Sequence, residues 1–453
     1  MVAISFDGKR FRIDGPGEPV EYAVHMRQLP ADRTMGKLAA ADRVSAENLE
    51  RLGTRLADFH RGAPRIFDPA ARLHAHEACL ENFRQTRPHV GRLLDAWPYD
   101  SVRTATFNFF ARNSRFFEKR LKAGRFRDGH GDLRTEHVYF LENGQIQILD
   151  CIEFNPKLRQ VDTASDLAFL VMDLEYHQQP GTARYLIDSY RSHSDDDGLL
   201  CLIDFYKCYR AMVRCKVNCL TLDTPGLDGE RRRKLADGAR NYLYLAHRYA
   251  RRFDRPTLWV FCGIPASGKS ALADELAGIL AIESHNSDHI RKQLYGLDPL
   301  TPVSGPTDEG LYASEVSSKV YDRLFQLARK SIREGYSVIL DATYSASAHR
   351  RRLVSMVTGC GARIFFIECI APDEVLRQRL KNRENGQSVS DARLEHFTVL
   401  SKRFEPLTEI DPGQHIRLDT TRPMETCMHD LQTAAYLDKL QDNVAMPRLK
   451  VVI

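Results

Sequence analysis

The spacing of apolar residues predicts a first half built from β-structure followed by helices. Residues 1–30 show short alternating runs broken by Asp-Gly and Gly-Pro-Gly, which is typical of strands joined by tight turns. Residues 31–125 place apolar side chains three and four positions apart, as in "AENLERLGTRLADFH", which predicts amphipathic helices. The stretch "VYFLENGQIQILD" then predicts a hairpin around Glu-Asn-Gly, and residues 160–250 return to a helical pattern.

The second half alternates apolar strands with helices. Its predicted strands are "TLWVFCG", "YSVILDAT" and "ARIFFIECI", and its predicted helices include "SALADELAGILA", "EVSSKVYDRLFQLARKSIREG" and "DEVLRQRLKNRE". Such alternation indicates a parallel sheet covered on both faces. Because Pro256 closes a basic helical stretch, we predict domains at residues 1–250 and 251–435, and a C-terminal tail at 436–453.

Composition narrows the class of protein without naming a substrate. The 453 residues are too many for one ordinary core, which predicts two or three domains. A net charge of +5, without a dense basic tract interleaved with aromatic residues, argues against nucleic acid as a partner. The chain begins without an apolar signal region, has no apolar run near the length of a membrane span, and its ten cysteines form no C-x-x-C pair. We therefore expect a cytoplasmic protein with reduced thiols and no membrane partner, while the oligomeric state stays open.

A phosphate-binding motif opens the second half. The segment 263–270, "GIPASGKS", matches G-x-x-x-x-G-K-[ST] between an apolar strand and an amphipathic helix. In such a loop, backbone N–H groups turn inward around a phosphate, and the helix N-terminus adds its dipole. Lys269 is placed to reach the β- and γ-phosphates, and Ser270 to ligate Mg²⁺. The predicted ATP-binding residues are Gly263, Pro265, Ala266, Ser267, Gly268, Lys269, Ser270 and Ala271.

Two carboxylates downstream fit the same site. In "ESHNSDHIRKQLYG", Asp288 and Arg291 lie three apart at a predicted helix start, so they share a face. Asp288 could orient or deprotonate an acceptor hydroxyl and Arg291 could hold an anionic substrate; the alternative is an N-cap Asp with a surface Arg. Asp341 ends the strand in "VILDAT", where a carboxylate points into the ligand crevice and can serve nucleotide-bound Mg²⁺.

An arginine-rich helix is the third predicted part of this site. "EVLRQRLKNREN" carries Arg377, Arg379 and Arg383 toward a polar loop. Arginines in a lid would neutralise charge on the transferring phosphoryl group, and we expect Arg379 or Arg383 to do so. A solvated basic face is the alternative interpretation.

Residues 256–420 resemble the small-molecule kinases of the P-loop class and are similar to gluconate kinase and to zeta-toxin-like kinases. The motifs that carry the resemblance are "GIPASGKS", "SDHIRKQLYG", "LDATYS" and the segment ending in "SVSDARLEHF". The resemblance implies a P-loop NTPase α/β/α sandwich that transfers a phosphoryl group from ATP to a hydroxyl of a small molecule. It does not identify the acceptor.

A second phosphotransferase motif lies in the first half. Within "GHGDLRTEHVYFLENGQIQILDCIEFN", Asp132 and Asp150 are separated by the predicted hairpin. In kinase-type transfer one Asp accepts the hydroxyl proton, a nearby polar residue binds Mg²⁺, and an Asp after the hairpin holds the metal. "HGDLRTEHV" resembles the "HGDLHxxN" loop of the aminoglycoside and choline phosphotransferases, and "ILDCIEF" resembles their metal-binding strand. "ASDLAFL" fits a helix start that steadies the loop in that family.

This resemblance covers residues 20–245 and implies an α+β protein-kinase-like domain. The whole chain is then similar to bacterial proteins that fuse an aminoglycoside phosphotransferase-like domain to a P-loop ATP-binding domain. The implied metal ligands are His137 and Asp150, although His137 stands where the family has Asn, and imidazole is a poorer ligand for Mg²⁺. A phosphate-covering loop and a strand Lys are not evident before "VEYAVHMRQLP", so the resemblance implies a truncated N-lobe.

Together these patterns predict an α/β multidomain, Mg²⁺- and ATP-dependent phosphotransferase whose P-loop domain is the main ATP site. The N-terminal domain, through Asp132 and Asp150, either binds a hydroxylated substrate or performs a second transfer. One alternative is an ATP-binding regulatory or interaction protein with a degenerate kinase-like domain. Another is an antibiotic-modifying phosphotransferase that acts through the N-terminal domain.

Overall fold

The structure is a computed structural model of the chain. It describes residues 1–26, 28–298, 300–301, 309–384 and 392–441, and of residues 383 and 384 it describes the backbone only.

The chain begins with a small antiparallel sheet. Its strands are β1 (Val2–Phe6), β2 (Phe11–Ile13) and β3 (Pro19–Ala23), and β1 is central, with Ile4 opposite Ile13 on one side and Glu21 on the other. This confirms the β-structure predicted for residues 1–30. The sheet is largely solvated, since Phe11 is 70% exposed and Tyr22 61% exposed.

Five helices follow the sheet, as the periodicity predicts. Their bounds are α1 (Met35–Ala40), α2 (Ala46–Gly62), α3 (Pro69–Thr86), α4 (Ala96–Arg112) and α5 (Ser114–Lys122). The start of α2 shows why they form: the Ser45 hydroxyl accepts a hydrogen bond from the Asn48 backbone at 3.1 Å, and Leu49, Leu52 and Leu56 then face inward.

Short strands interrupt the helices around the first phosphotransferase motif. They are β4 (Phe126–Asp128), β5 (Val138–Phe140), β6 (Ile146–Ile148) and β7 (Gln160–Asp162). Strands β5 and β6 form the predicted hairpin, with Val138 opposite Ile148, and β4 pairs with β7. The loop 129–137 is thereby held between two short ladders.

Four further helices follow in the described part of the first half. They are α6 (Thr163–Tyr176), α7 (Pro180–His193), α8 (Leu199–Leu222) and α9 (Gly229–Phe253). Helix α8 is the centre of the N-terminal core, and its cysteines Cys208, Cys215 and Cys219 are buried on it, as their helical spacing predicts. The assignment of this half to the protein-kinase-like class remains a prediction.

The second half is built on a five-stranded parallel sheet. Its strands are β8 (Thr257–Cys262), β9 (Glu283–Asn286), β10 (Val338–Asp341), β11 (Arg363–Ile370) and β12 (His415–Asp419). They lie in the order β12-β11-β8-β10-β9, and every neighbouring pair is parallel. The parallel sheet predicted from the sequence is therefore confirmed.

Helices cover both faces of this sheet. They are α10 (Lys269–Leu280), α11 (Ser287–Leu294), α12 (Ser314–Arg333), α13 (Ser347–Cys360), α14 (Asp373–Glu384), α15 (Phe397–Lys402) and α16 (Met424–Gln441). Helix α12 buries Val316, Val320, Leu324 and Ala328, each four residues after the last, against one face. Helices α10 and α16 pack on the other face, which makes an α/β/α sandwich.

The two halves pack against each other through α16. The side chain of Tyr436 is 2% exposed and belongs to the N-terminal core, while Leu431 of the same helix packs on the C-terminal sheet. The predicted division at residue 436 falls inside this helix, and residues 442–453 lie outside the described residues. The predicted boundary between residues 250 and 251 lies in the last turn of α9, and β8 begins directly after Pro256.

Among the helices that the structure describes, none combines the length and the apolar character needed to cross a bilayer.

Candidate functional site

The phosphate-binding loop lies between β8 and α10, as its motif predicts. Gly263 and Gly268 take positive φ angles of 138° and 88°, and a Cβ atom on Gly263 would stand 2.6 Å from the Cys369 carbonyl oxygen. Glycine is therefore needed there by conformation and by space. Ala266 also has a positive φ, 65°, which is uncommon for a residue with a side chain and marks a constrained loop.

Two side chains of the loop face its interior. The Lys269 ammonium donates a hydrogen bond to the Ile264 carbonyl at 3.3 Å, so it lies across the loop. The Ser267 hydroxyl is fully buried and has no hydrogen-bond partner within the described part of the chain. Ser270, one residue after Lys269, is exposed. A buried polar atom without a partner is costly. Ser267 does not line the cavity in front of the loop, whereas Lys269 and Ser270 do.

The predicted carboxylate Asp341 lies at the carboxyl end of β10 and is only 2% exposed. Its Oδ2 accepts a hydrogen bond from Asn286 Nδ2 at 2.5 Å, whereas its Oδ1 is buried without a partner among the described residues. Burial, and after it the nearby Asp341 carboxylate, raises the pKa of Asp274 on α10. Ser270 and Asp341 line the same cavity, and hydroxyl and carboxylate oxygens are suitable ligands for Mg²⁺ or its water shell.

Asn286 connects this carboxylate to the next element of the site. Its Oδ1 accepts hydrogen bonds from the backbone of Asp288 at 2.8 Å and of His289 at 3.1 Å, and therefore caps α11. The N-cap is thus Asn286 rather than Asp288. Our sequence reasoning missed Asn286; the available signal was an Asn placed directly before "SDH" at a strand-to-helix junction.

Asp288 and Arg291 share one face of α11, as their spacing predicts. Arg291 Nε lies 3.9 Å from Asp288 Oδ1, and Arg291 is 6% exposed, so it is not a surface arginine. Its Nη1 donates to the Leu311 carbonyl at 2.8 Å and lies 3.3 Å from Ser317 Oγ, and its guanidinium covers the ring of Tyr312. Both residues line the cavity that the phosphate-binding loop opens into.

This cavity has a volume of about 530 Å³ and reaches from the loop to the helices on the far wall. Lys269, Ser270 and Asp341 line it together with Asp288 and Arg291. Hydroxyl groups line much of the remaining wall: Ser287, Ser314, Ser317, Ser318, Tyr321, Thr343 and Ser345.

Tyr321 is a further wall residue that the sequence did not reveal. Its hydroxyl lies 3.0 Å from Thr343 Oγ1, and its ring stacks on His349 at 4.1 Å. Burial raises the pKa of the Tyr321 phenol, which keeps it a neutral hydrogen-bonding group. The wall therefore offers hydroxyl and imidazole groups to a polar ligand.

The predicted lid arginines occupy different positions. Arg379 binds the outside of the loop: its Nη1 donates to the Ala266 carbonyl at 3.2 Å and to Thr420 Oγ1 at 2.9 Å, and its Nη2 to the Thr420 carbonyl at 2.7 Å. Arg377 covers the ring of Phe397. The side chain of Arg383 lies outside the described residues. In this arrangement Arg379 fixes the loop, and the lid role of either arginine remains a prediction.

The first phosphotransferase motif lies in a loop held by α6. Asp166 accepts hydrogen bonds from the backbone N–H groups of His130 at 2.6 Å and Gly131 at 2.8 Å, and His60 Nε2 lies 3.5 Å away. Burial of Asp166 opposes its charge, but the interactions with His60, Arg210 and the His130 backbone lower its pKa to about 2. "ASDLAFL" does begin a helix that steadies the loop, as the resemblance implies.

Other elements brace the same loop. Arg210 of α8 donates to the Gly131 carbonyl at 2.8 Å. Asp173 of α6 accepts from the backbone and the hydroxyl of Thr135 at 3.0 and 2.6 Å. The loop is therefore tied to two buried helices.

Asp132, His137 and Asp150 come together at the surface of this loop. One donor atom of each lies within 4.8 Å of the others, and Asp150 is 78% exposed with a φ of 65°. A basic side chain that the sequence reasoning did not single out, Arg134, lies among them. Its Nη2 is 3.0 Å from Asp132 Oδ2 and 3.2 Å from His137 Nε2, and it also pairs with Glu136.

A cavity of about 260 Å³ lies elsewhere in the N-terminal half, between α3 and residues 155–165. His74, Glu77 and Gln160 are among its polar wall residues, whereas Asp132 and Asp150 do not line it.

Comparison with known proteins supports one part of this site. Residues 258–407 match the family model described as "AAA domain". The second half therefore contains an AAA-type P-loop nucleotide-binding domain, and the match includes Lys269, Ser270, Asp288 and Asp341.

The chain is also similar to an uncharacterized protein of Mycobacterium tuberculosis. The two are 29% identical over 432 residues, which cover 94% of this chain and 83% of the relative, and an uncharacterized protein of Mycobacterium bovis matches equally well. The similarity extends through both halves of the chain.

Among solved structures, three kinases resemble the chain over less than half its length. A gluconokinase from Sinorhizobium meliloti is 14% identical, with a TM-score of 0.31, and covers 42% of this chain and 98% of its own. A sugar kinase from Janibacter is 18% identical, with a TM-score of 0.30, and covers 41% and 95%. The APS kinase of Mycobacterium tuberculosis, solved with AMPPNP and APS, is 19% identical, with a TM-score of 0.31, and covers 42% and 99%.

Proposed function

We propose that the chain is an ATP- and Mg²⁺-dependent phosphotransferase that phosphorylates a hydroxyl group of a small molecule at the P-loop domain. One observation carries this proposal: a single cavity of about 530 Å³ joins the phosphate-binding loop to Asp288 and Arg291. A site for hydrolysis alone needs room for water, whereas this wall offers hydroxyl, carboxylate and guanidinium groups beyond the phosphate loop. Such a wall suits a polar, hydroxylated acceptor.

The loop residues would hold the triphosphate. Backbone N–H groups of residues 263–271 other than Pro265 would supply donors together with the Lys269 ammonium, and the N-terminus of α10 would add its dipole. Ser270 and the unpaired Oδ1 of Asp341 would hold Mg²⁺, which neutralises charge on the phosphate oxygens. Asn286 keeps the other oxygen of Asp341 engaged, so the carboxylate presents Oδ1.

Asp288 would act on the acceptor. Its carboxylate accepts the proton of the attacking hydroxyl as the new oxygen–phosphorus bond forms and the bond to the ADP oxygen breaks. Arg291 is anchored on Ser317 and the Leu311 carbonyl, so it would position an anionic or polar part of the acceptor beside Asp288. Arg379 would keep the loop in place, and closure of a lid by Arg383 belongs to the same proposal.

The decisive experiment is a metabolite screen for ATP-dependent phosphorylation by the full chain, read by mass spectrometry. Lys269→Ala should abolish the reaction and weaken ATP binding by about 30-fold or more, because a desolvated charge partner of the phosphates is lost. Lys330→Ala, which removes an exposed lysine of the same half, is the matched control and should leave both unchanged.

Two results would contradict the proposal. Unchanged ATP affinity in calorimetry after Lys269→Ala would exclude the loop as the ATP site. Slow ATP hydrolysis that no metabolite accelerates or diverts would instead favour an ATP-binding regulatory protein.

A further inference from the structure

The N-terminal cluster of Asp132, His137 and Asp150 has the composition of a metal site, and its contacts decide whether a metal fits. His137 Nδ1 lies 2.8 Å from the Asp132 backbone carbonyl. A carbonyl oxygen can only accept, so Nδ1 carries the hydrogen and Nε2 carries the lone pair of the ring. A histidine that ligates a metal is commonly oriented in this way.

The lone pair of Nε2 is already used. Arg134 Nη2 lies 3.2 Å from it, and a guanidinium group can only donate. A metal bound to Nε2 would need the same lone pair. His137 cannot accept the hydrogen bond and ligate a metal at once.

Arg134 also occupies the carboxylate of Asp132. Its Nε lies 3.1 Å from Oδ1 and 3.2 Å from Oδ2, and its Nη2 lies 3.0 Å from Oδ2. This is a two-pronged ion pair, the geometry in which a guanidinium binds a carboxylate most specifically. The pair is half-buried, since Arg134 is 13% exposed and Asp132 26% exposed.

We propose that Arg134 has taken the place of the divalent cation in this cluster, so that the N-terminal motif is a metal-free site in which Arg134 binds Asp132 and His137. The residues present do not fit Mg²⁺ while Arg134 stays in this position. Asp132 is bound to a cation of the same loop and is not available as a base. The inference concerns the N-terminal half and does not depend on the proposed function of the P-loop domain.

The first test measures divalent-metal binding by the full chain without nucleotide, with Mn²⁺ titrated and free Mn²⁺ followed by electron paramagnetic resonance. The unmodified chain and His137→Ala should bind the same amount of Mn²⁺. If the unmodified chain binds a Mn²⁺ that His137→Ala lacks, Arg134 does not replace the metal and the inference is wrong.

The second test removes the arginine. Arg134→Ala and Arg134→Met should each gain one Mn²⁺ per chain, because Nε2 and both oxygens of Asp132 become available beside Asp150. Arg134→Ala combined with His137→Ala should lose this gain. Arg240→Ala, which removes an equally charged but exposed residue paired with Asp237, should gain nothing. Folded Arg134 variants that bind no additional Mn²⁺ would overturn the inference, and the first test holds even if neither variant folds.

Discussion

The two phosphotransferase motifs of this chain differ in how their polar groups are satisfied. In the P-loop region, Ser267 Oγ and Asp341 Oδ1 are buried without partners among the described residues, and a cavity of about 530 Å³ opens in front of the loop. In the N-terminal motif, both oxygens of Asp132 accept from Arg134, and Asp166 accepts from the loop backbone. Asp341 thus keeps one oxygen unpaired in the wall of a cavity, whereas the carboxylates of Asp132 and Asp166 are bound by other groups of the protein. His60 Nε2 and Arg210 Nη2, which lie beside Asp166, are nevertheless buried without hydrogen-bond partners among the described residues.

This difference shows why a motif alone does not establish activity. Desolvated polar atoms without partners cost free energy, so a fold retains them where a ligand compensates the cost. A carboxylate that is already paired with a guanidinium does not indicate a ligand site in this way. All three residues of the His-Gly-Asp motif are present, yet the contacts of Asp132 favour a structural or binding role over catalysis.

The most direct test of the difference between the two motifs is to replace each candidate base in turn. Asp288→Asn should lower acceptor phosphorylation by about 10²–10⁴-fold, the usual loss for a working general base. Asp132→Asn should leave it nearly unchanged, because Arg134 already holds that carboxylate. Both rates are measured with the acceptor found in the screen, since basal ATP hydrolysis need not involve either base.

Asn keeps the size of Asp, so each variant is matched to the other. If Asp132→Asn alone removed phosphorylation, the N-terminal motif would be a second working active site. Equal losses in both variants would indicate that the two regions act in one reaction.

Asp166 and Asp341 should differ in how much their carboxylates stabilise the fold. Because the folded-state pKa of Asp166 is lowered to about 2 from an ordinary value of 3.8, the charged form stabilises the fold above pH 4, and this contribution is lost as the pH falls toward 2. It amounts to about 2 kcal/mol at neutral pH. Asp166→Asn should therefore lower the free energy of unfolding at pH 7 and flatten its decrease with acid. Asp341→Asn should cost less, since the amide oxygen can keep the hydrogen bond from Asn286 and Oδ1 has no donor to lose.

Urea unfolding of the full chain between pH 7 and pH 3 measures both effects. Asp58→Asn, at a 60% exposed carboxylate of the same half, serves as the control and should follow the unmodified chain. Identical acid slopes for Asp166→Asn and the unmodified chain would show that Asp166 does not hold the loop.

The sequence predicted those strands that are buried on both faces. β8, β10 and β11 read as continuous apolar runs because helices cover them on either side. The edge strands β9, "ESHN", and β12, "HIRLD", were missed because each has a partly solvated side and few apolar residues. Pairing with the neighbouring strand, and not local pattern, makes them strands.

The residues of the candidate site likewise fall into those that a local pattern predicts and those that depend on the fold. Asp341 and Asp288 were predicted because a strand end and a helix start place them at the ligand crevice. Asn286 and Tyr321 depend on partners distant in sequence, Asp341 and Thr343, which no local pattern reveals. Arg134 lies two residues from Asp132, but only the fold shows that it contacts His137 as well.

The smallest expected effect on stability is that of a hydrogen bond that connects the two halves of the chain. The hydroxyl of Tyr436 on α16 lies 3.2 Å from the ammonium of Lys207 on α8. This ammonium is fully buried and is also bound to Glu175 at 3.0 Å and Asp204 at 2.7 Å. Burial opposes the charge of Lys207, but the two carboxylates raise its pKa well above the ordinary value, so it remains an ammonium. Tyr436→Phe removes one of its three partners and keeps the ring.

Tyr436→Phe should cost about 1 kcal/mol, the usual net contribution of one hydrogen bond, because Lys207 keeps its two carboxylate partners. Because this bond joins a helix of the P-loop half to the N-terminal core, its loss should also uncouple the unfolding of the two halves.

The chain has two tryptophans, Trp97 in the first half and Trp259 on β8, so Trp97→Phe leaves fluorescence that reports the P-loop half alone. In that background, Tyr436→Phe should separate the Trp259 transition from the transition seen by far-ultraviolet circular dichroism. Tyr185→Phe, at a tyrosine 41% exposed on α7, should leave both transitions in place. Unchanged transitions in Tyr436→Phe would mean that this hydrogen bond is not needed to couple the two halves, which are also joined by the hydrogen bond from Arg191 to Thr433 at 2.8 Å and by apolar packing of α16.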